Sequence, residues 1–268
     1  MGLMESGEKE VKVHSLRRAA KVATAHIAAL VLDQIYPPAC PVCREPLADG
    51  EGLCPSCFSQ LGIITPPYCS VLGVPFEVDL GPDAISPEAL ADPPPFARAR
   101  AAVRYGEVAQ ALVSRLKFGD RPELARFCAK LMAQAGRDLC ALKPVLVPIP
   151  LHPSRLRHRR YNQSLLLAQH LGRLLNLDVD PHLVRRHKKT RQQIGLSGDG
   201  RARNVEGAFS VPDDFLLRLR GRRLLLIDDV YTTGSTVKAA SRTLLRAGAQ
   251  SVDVLTFARV VIGEDMTI

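Results

Sequence analysis

This 268-residue chain has no tryptophan, no long apolar run and no even set of cysteines. Each absence excludes something. No stretch approaches the roughly 18 apolar residues of a membrane-spanning helix. The longest N-terminal run, IAALVL at 27–32, is bracketed by His26 and Asp33, so no transmembrane anchor is expected. Residues 15–35 imitate a targeting peptide, but they show no convincing cleavage site and lead straight into cysteines. They read as a helix of the mature protein, with Ile27, Leu30, Val31 and Ile35 at helical spacing; a membrane-surface helix is the alternative. Seven cysteines with two C-x-x-C pairs do not form a secreted disulfide framework. They point to a reducing, cytoplasmic compartment and to a metal. No G-x-x-x-x-G-K-[ST] run occurs, which excludes a P-loop nucleotide triphosphatase.

The balance of what is present is globular: 46% hydrophobic and 24% charged residues can bury a sizeable core. The formal net charge is +9. Residues 151–203 hold 12 Arg and Lys against Asp178, Asp180 and Asp199, so this stretch alone nets +9 (12 minus 3). A local basic field of that strength faces phosphates, either of a small polyphosphate ligand or of nucleic acid; a solvated surface loop is the plainer alternative. Tyr161 is the one aromatic residue among these charges, a poor platform for stacking single strands.

Four regions are expected: a tail and helix over 1–37, a cysteine-bearing module over 38–76, a proline-rich linker over 77–97 and a large domain over 98–268. Eight of the 20 prolines fall within 65–95, including PPP at 93–95, which reads as a loose connection. From Arg98 the pattern alternates. Strands are expected at 99–105, 145–150, 223–228 and 252–259. Helices are expected at 107–118, at 122–139 with Pro122 in its first turn, at 162–175, and at 237–249 ending near Gly248. Strands alternating with helices predict an α/β fold with a mainly parallel sheet. No internal repeat is evident.

Cys40-x-x-Cys43 followed by Cys54-x-x-Cys57 sets four thiolates on two proline-containing turns. That spacing suits tetrahedral structural zinc, with a disulfide pair or an iron–sulfur site as alternatives. Such a site would hold a small module together and do no chemistry.

The chemistry is concentrated in LLLIDDVYTTGST, residues 224–236. Ligands of open α/β sheets sit beyond the carboxyl ends of the strands, where Asp228 and Asp229 are expected. The loop that follows leads into a helix N-terminus, which favours an anion. Gly234 allows close backbone approach, Thr232, Thr233, Ser235 and Thr236 offer hydroxyls, and Ser235 or Thr236 can cap the helix. Two carboxylates would repel a phosphate. They make sense if they meet ribose hydroxyls, which are donors, or a Mg²⁺ that accompanies the phosphates. A plain core strand with a capped helix is the alternative, at the cost of two charges near a buried strand end.

The pattern of apolar run, Asp-Asp, two residues, Thr-Thr-Gly, one residue, Thr resembles the 5-phosphoribosyl-1-pyrophosphate (PRPP) motif of type I phosphoribosyltransferases. The resemblance implies that Asp228 and Asp229 bind the ribose hydroxyls, and that Thr232, Thr233, Gly234, Ser235 and Thr236 bind the 5′-phosphate. It also implies that the segment HPSRLRHRR is a loop whose Arg155, Arg157 and Arg159 bind pyrophosphate, that Mg²⁺ accompanies PRPP, and that KKTRQQIGLSGDGRARN closes as a lid.

With the cysteines, the chain resembles the ComF family, competence-associated proteins with GntX-like relatives. YPPACPVC, VPIPLHPSRLRHRRYNQ (147–163) and KKTRQQIGLSGDGRARNVEGAF (188–209) carry that resemblance. It implies a phosphoribosyltransferase-like protein linked to single-stranded DNA uptake, either as an enzyme or as a non-enzymatic sensor that engages DNA or uptake proteins. The chain departs from the pattern twice. PPYCSVLGVPF (66–76) resembles a second cysteine knuckle with Leu72 in the second cysteine's place, and its following pair is replaced near PPP, so Cys69 reads as a remnant. Arg160 stands where the family often has glycine.

Overall fold

A computed structural model describes residues 38–47, 52–118, 121–187 and 207–261. The helix expected within 1–37 and the whole of the expected lid lie outside the described residues. The chain divides into two compact units, Met1–Pro55 and Ser56–Ile268.

The first unit contains a knuckle. The amide of Cys40 donates to Glu45 O at 2.8 Å, that of Arg44 to Cys40 O at 2.9 Å and that of Leu47 to Pro38 O at 2.7 Å. Ala39 bridges Pro46, and Arg44 takes a φ of 69°. A short helix, α1 (Pro55–Ser59), carries Cys57.

The second unit begins within α1 and then forms the same knuckle again. Cys69 N donates to Val74 O at 2.7 Å, Gly73 N to Cys69 O at 2.8 Å and Phe76 N to Pro67 O at 2.9 Å. Tyr68 bridges Pro75, and Gly73 takes a φ of 64°. A short helix again follows, α2 (Pro87–Ala91), N-capped by Ser86. The backbone thus repeats the knuckle that the sequence shows only in degenerate form at 66–76. The equivalents of Cys40, Cys43, Cys54 and Cys57 are Cys69, Leu72, Ser86 and Ala89, all buried. The second half of the repeat therefore sits at Ser86 and Ala89, ahead of the PPP where it was expected. Hydrogen bonds replace metal bonds here: the amides of Leu72 and Ser86 donate to Cys69 Sγ at 3.3 and 3.2 Å. Burial raises the Cys69 thiol, but the Ser86 side chain and the amides of Leu72, Ser86 and Val71 prevail and hold it below its ordinary pKa. The stretch expected as a loose linker is folded, and it buries Ala89 and Phe96.

The rest of the second unit is an α/β domain. Its strands are β1 (Ala99–Arg104), β2 (Val145–Pro148), β5 (Arg223–Tyr231) and β6 (Ser251–Arg259). They pair in the order β1-β6-β5-β2, and every pair is parallel. Residues 224–227 of the central β5 are all buried, which accounts for an apolar run without alternation.

The helices are α3 (Glu107–Phe118), α4 (Leu124–Ala135), α5 (Arg137–Cys140), α6 (Pro153–Arg159), α7 (Gln163–Leu175), α8 (Leu216–Leu219) and α9 (Ser235–Arg246). The single helix expected over 122–139 starts later, at Leu124, and is broken at Gly136. A Cβ there would lie 2.6 Å from Leu255 Cδ2, so glycine lets the chain press on β6 and turn. The other face of the sheet is covered by α9, whose Val237, Ala240 and Leu244 pack with Leu224, Leu226, Val252 and Val254.

Two features were not expected. The segment HPSRLRHRR forms the helix α6, N-capped by His152 through Nδ1, instead of a loop. Its C-cap, Arg160, holds a left-handed φ of 66°, the conformation in which glycine is the least strained residue. A two-stranded antiparallel pair, β3 (Arg185–Arg186) with β4 (Phe209–Ser210), draws together the two flanks of the expected lid.

Candidate functional site

Strand β5 does not stop at its first carboxylate. It runs through Asp228, Asp229 and Val230 to Tyr231, so the anion loop shortens to Thr232, Thr233 and Gly234. The two neighbouring acids have different partners. Ser164 Oγ, at the start of α7, donates to Asp228 Oδ1 at 2.9 Å, and the Asp229 amide donates to the same oxygen at 3.0 Å. Among the described residues, no hydrogen bond is seen to Oδ2 of Asp228. Asp229 Oδ2 instead receives Lys117 Nζ, from the end of α3, at 2.9 Å. Burial, and then the charge of Asp229, push the Asp228 carboxyl up to about 7. The pair is thus split into an ion-paired carboxylate and an acid that is reluctant to ionise.

Gly234 is the N-cap of α9, with a φ of 72° and no side chain capping the helix. The cap expected from Ser235 or Thr236 is not formed. Ser235 is instead the first helical residue, and its Oγ lies 2.8 Å from Thr233 Oγ1. The amides of the first turn therefore face the loop without a side-chain acceptor at the N-cap, the arrangement that takes up an anion.

The three arginines of α6 separate. Arg155 lies within electrostatic reach of Arg186, which itself feels Asp228. Burial, then the neighbouring Arg159, lower the Arg155 pKa. Arg159 is engaged elsewhere: its guanidinium lies 5.0 Å above the Phe118 ring and donates to Gln163 Oε1 at 3.3 Å. Arg157 is exposed, on the opposite side of the helix from both. Asp228, Asp229 and the loop thus follow one another along the chain, Arg155 is linked to Asp228 through Arg186, and Arg157 and Arg159 are not brought to them.

Three residues of the site escaped sequence reasoning. Lys117 and Ser164 lie on helices whose periodicity reads as ordinary packing. Arg186 is nine-tenths buried, and burial followed by Arg155 pushes its pKa down to about 10. It stood in a basic stretch with no signal to single it out, beyond its place two residues before the expected lid.

The sulfurs of Cys40, Cys43, Cys54 and Cys57 lie within 4.8 Å of one another. Four thiolates around a tetrahedral ion with Zn–S bonds of about 2.3 Å fit that spacing. Burial raises the Cys40 thiol, but the amides of Cys54, Cys43 and Val42 prevail and draw it down to about 6. The donor set fits structural zinc. It is the one cluster of its kind among the described residues, whereas the second knuckle offers one sulfur, a leucine, a serine and an alanine. One zinc per chain is expected by elemental analysis, and two would contradict the metal-free reading of the second knuckle. Cys54→Ser should release that zinc and destabilise the module around it.

A double zinc ribbon domain matches residues 31–88. The chain is 34% identical to the DNA utilization protein YhgH of Escherichia coli over 231 residues, covering 84% of this chain and 98% of that one. It is 32% identical to competence protein F of Haemophilus influenzae, covering 78% and 91%. It is 30% identical to competence protein ComFC of Bacillus subtilis, covering 80% and 86%. Among solved structures, the purine phosphoribosyltransferase of Pyrococcus horikoshii overlaps 53% of this chain and 92% of that chain, at 13% identity and a TM-score of 0.29. No described helix is long and apolar enough to cross a membrane. With a cysteine ribbon, its metal-free repeat and a parallel α/β domain in one chain, and with that extent of identity, the protein belongs to the ComF/YhgH family of competence and DNA utilization proteins.

Proposed function

We propose that this protein binds PRPP and transfers its phosphoribosyl group to an acceptor, releasing pyrophosphate. One observation carries the reading: an acidic strand end runs over a left-handed glycine into an uncapped helix N-terminus. Phosphate on the loop and hydroxyls on the acids are the two ends of one ribose 5-phosphate. Asp228 Oδ2 and Asp229 would accept from the ribose diol, and the amides and hydroxyls of 232–236 would hold the 5′-phosphate. Arg155 and Arg186 would meet the pyrophosphate, whose charge Mg²⁺ shields when it accompanies PRPP. The residues of the chain then position the sugar and stabilise the charge that develops on it. Calorimetry should show Mg²⁺-dependent PRPP binding that Asp228→Asn with Asp229→Asn removes. Binding that survives the double substitution sinks the reading. Pyrophosphate release across a panel of bases and amines identifies the acceptor.

The relatives named for competence and DNA utilization, with the basic stretch 151–203, support a second reading: a protein that senses the same ligand without turning it over and engages single-stranded DNA. Its signature is DNA affinity that falls steeply with salt and no pyrophosphate release. Salt-independent binding would count against it.

A further inference from the structure

The loop that would hold the phosphate is only three residues long, and no side chain caps the helix behind it. Its height and tilt must come from what lies beneath. A Cβ on Gly234 would lie 2.3 Å from Tyr231 Oη, so the tyrosine ring is the floor of the loop. Phe96 meets that ring edge-on, with centroids 6.4 Å apart at 86°. The Arg259 guanidinium covers it at 5.0 Å from the centroid. Arg259 is buried, and its Nη1 donates to the carbonyl of Leu72, the residue standing where a metal-binding knuckle has its second cysteine. A second tie runs to the other end of the metal-free ribbon. Lys238, on the first turns of α9, donates through Nζ to Asp92 at 2.8 Å, and Asp92 is the C-cap of α2. The hydrogen bond and charge of Lys238 hold the Asp92 carboxyl below its ordinary range. The Lys238 side chain is 11% exposed and that of Asp92 71%, so the lysine is fixed while its partner stays within reach of substitution.

We propose that the metal-free second ribbon is the support of the phosphate loop, with Tyr231, Arg259, Lys238 and Asp92 as positioning residues for phosphate binding. This rests on the phosphoribosyl reading of the site. It gives a role to a ribbon that has exchanged its metal for a leucine: its knuckle carbonyl anchors the floor of the loop, and its helix end anchors the first turns of α9. A site that recognises phosphate through backbone amides needs them held to about 0.5 Å. Two ties from one lobe, one beneath the loop and one along the helix, supply that constraint.

The test uses the full-length, zinc-loaded chain. Asp92→Asn and Lys238→Gln should each weaken ribose 5-phosphate, measured by calorimetry, on the order of fivefold, the equivalent of about 1 kcal/mol. Inorganic phosphate should weaken by the same factor, because the defect lies in the phosphate loop. The charge swap Asp92→Lys with Lys238→Asp should restore affinity to within about twofold, which a general loss of packing would not. In the ligand-free protein, amides 232–236 should exchange faster in each single variant and return towards the parent rate in the swap. Unchanged affinity and exchange in the single variants, or a swap that restores neither, overturns the inference. If the parent protein binds neither ribose 5-phosphate nor phosphate, the phosphoribosyl reading fails, and amide exchange alone then decides whether the ribbon supports the loop.

Discussion

Gly234→Ala is expected to abolish phosphoribosyl ligand binding and to lower the melting temperature by roughly 10 °C. Two costs add. A φ of 72° is left-handed, which costs a residue with a Cβ about 1–2 kcal/mol. The new methyl also enters the space of Tyr231, at 2.3 Å from Oη and 2.5 Å from Cζ. The ring is pinned by Phe96 and Arg259 and cannot step aside cheaply, so overpacking adds about 1–3 kcal/mol. A total near 3 kcal/mol, at roughly 2–4 °C per kcal/mol for a domain of this size, gives the expected shift. Gly221→Ala separates the two costs. Gly221 has a φ of 70° and nothing within 4 Å of its would-be Cβ, so this variant bears the backbone cost alone and keeps full ligand affinity. Equal melting temperatures for the two variants would show that Tyr231 is not the floor of the loop.

Much of this architecture was legible in the sequence. The unbroken apolar run of 224–227 announced a strand covered on both faces, and LLLIDDVYTTGST announced the strand, glycine turn and helix start that follow one another there. The misreadings share a cause. Strand or loop, helix or loop, and linker or folded lobe are decided by tertiary partners that local pattern does not display. The strand continues past Asp229 because β6 continues beside it, pairing Val230 with Ala258 and Tyr231 with Arg259. The segment 153–159 is a helix because His152 caps it and Arg160 accepts a left-handed turn at its end. The first half of the metal-free ribbon was legible from Cys69 and Leu72, but its second half was misplaced because Ser86 and Ala89 read as an ordinary cap and core residue. Lys117 was missed for the opposite reason: a lysine near a helix C-terminus needs no explanation until its carboxylate partner is seen.

The division of labour between the two acids leads to a prediction with opposite signs for stability and function. Asp228→Asn should remove ligand binding yet stabilise the free protein, and only above mildly acidic pH. In the folded chain, burial and the Asp229 charge keep the Asp228 proton up to about pH 7, whereas the unfolded chain releases it near pH 3.9. Between those values the folded state binds more protons than the unfolded state. Stability therefore falls as pH rises through this window and levels off above it. Asparagine has no proton to lose, and its Oδ1 can keep both hydrogen bonds, from Ser164 Oγ and from the Asp229 amide. The variant should thus match the parent near pH 4 and exceed it by about 1–3 kcal/mol at pH 8, within the range seen when a buried charge is replaced by a neutral group. Urea unfolding at pH 4.5, 6 and 8 reads the difference directly. Parallel pH profiles for the two proteins would mean that Asp228 titrates normally and that the acidic pair is not split. A converging pair of profiles, joined to lost PRPP affinity, would mark Asp228 as a carboxyl kept in an unfavourable place for the sake of a ligand.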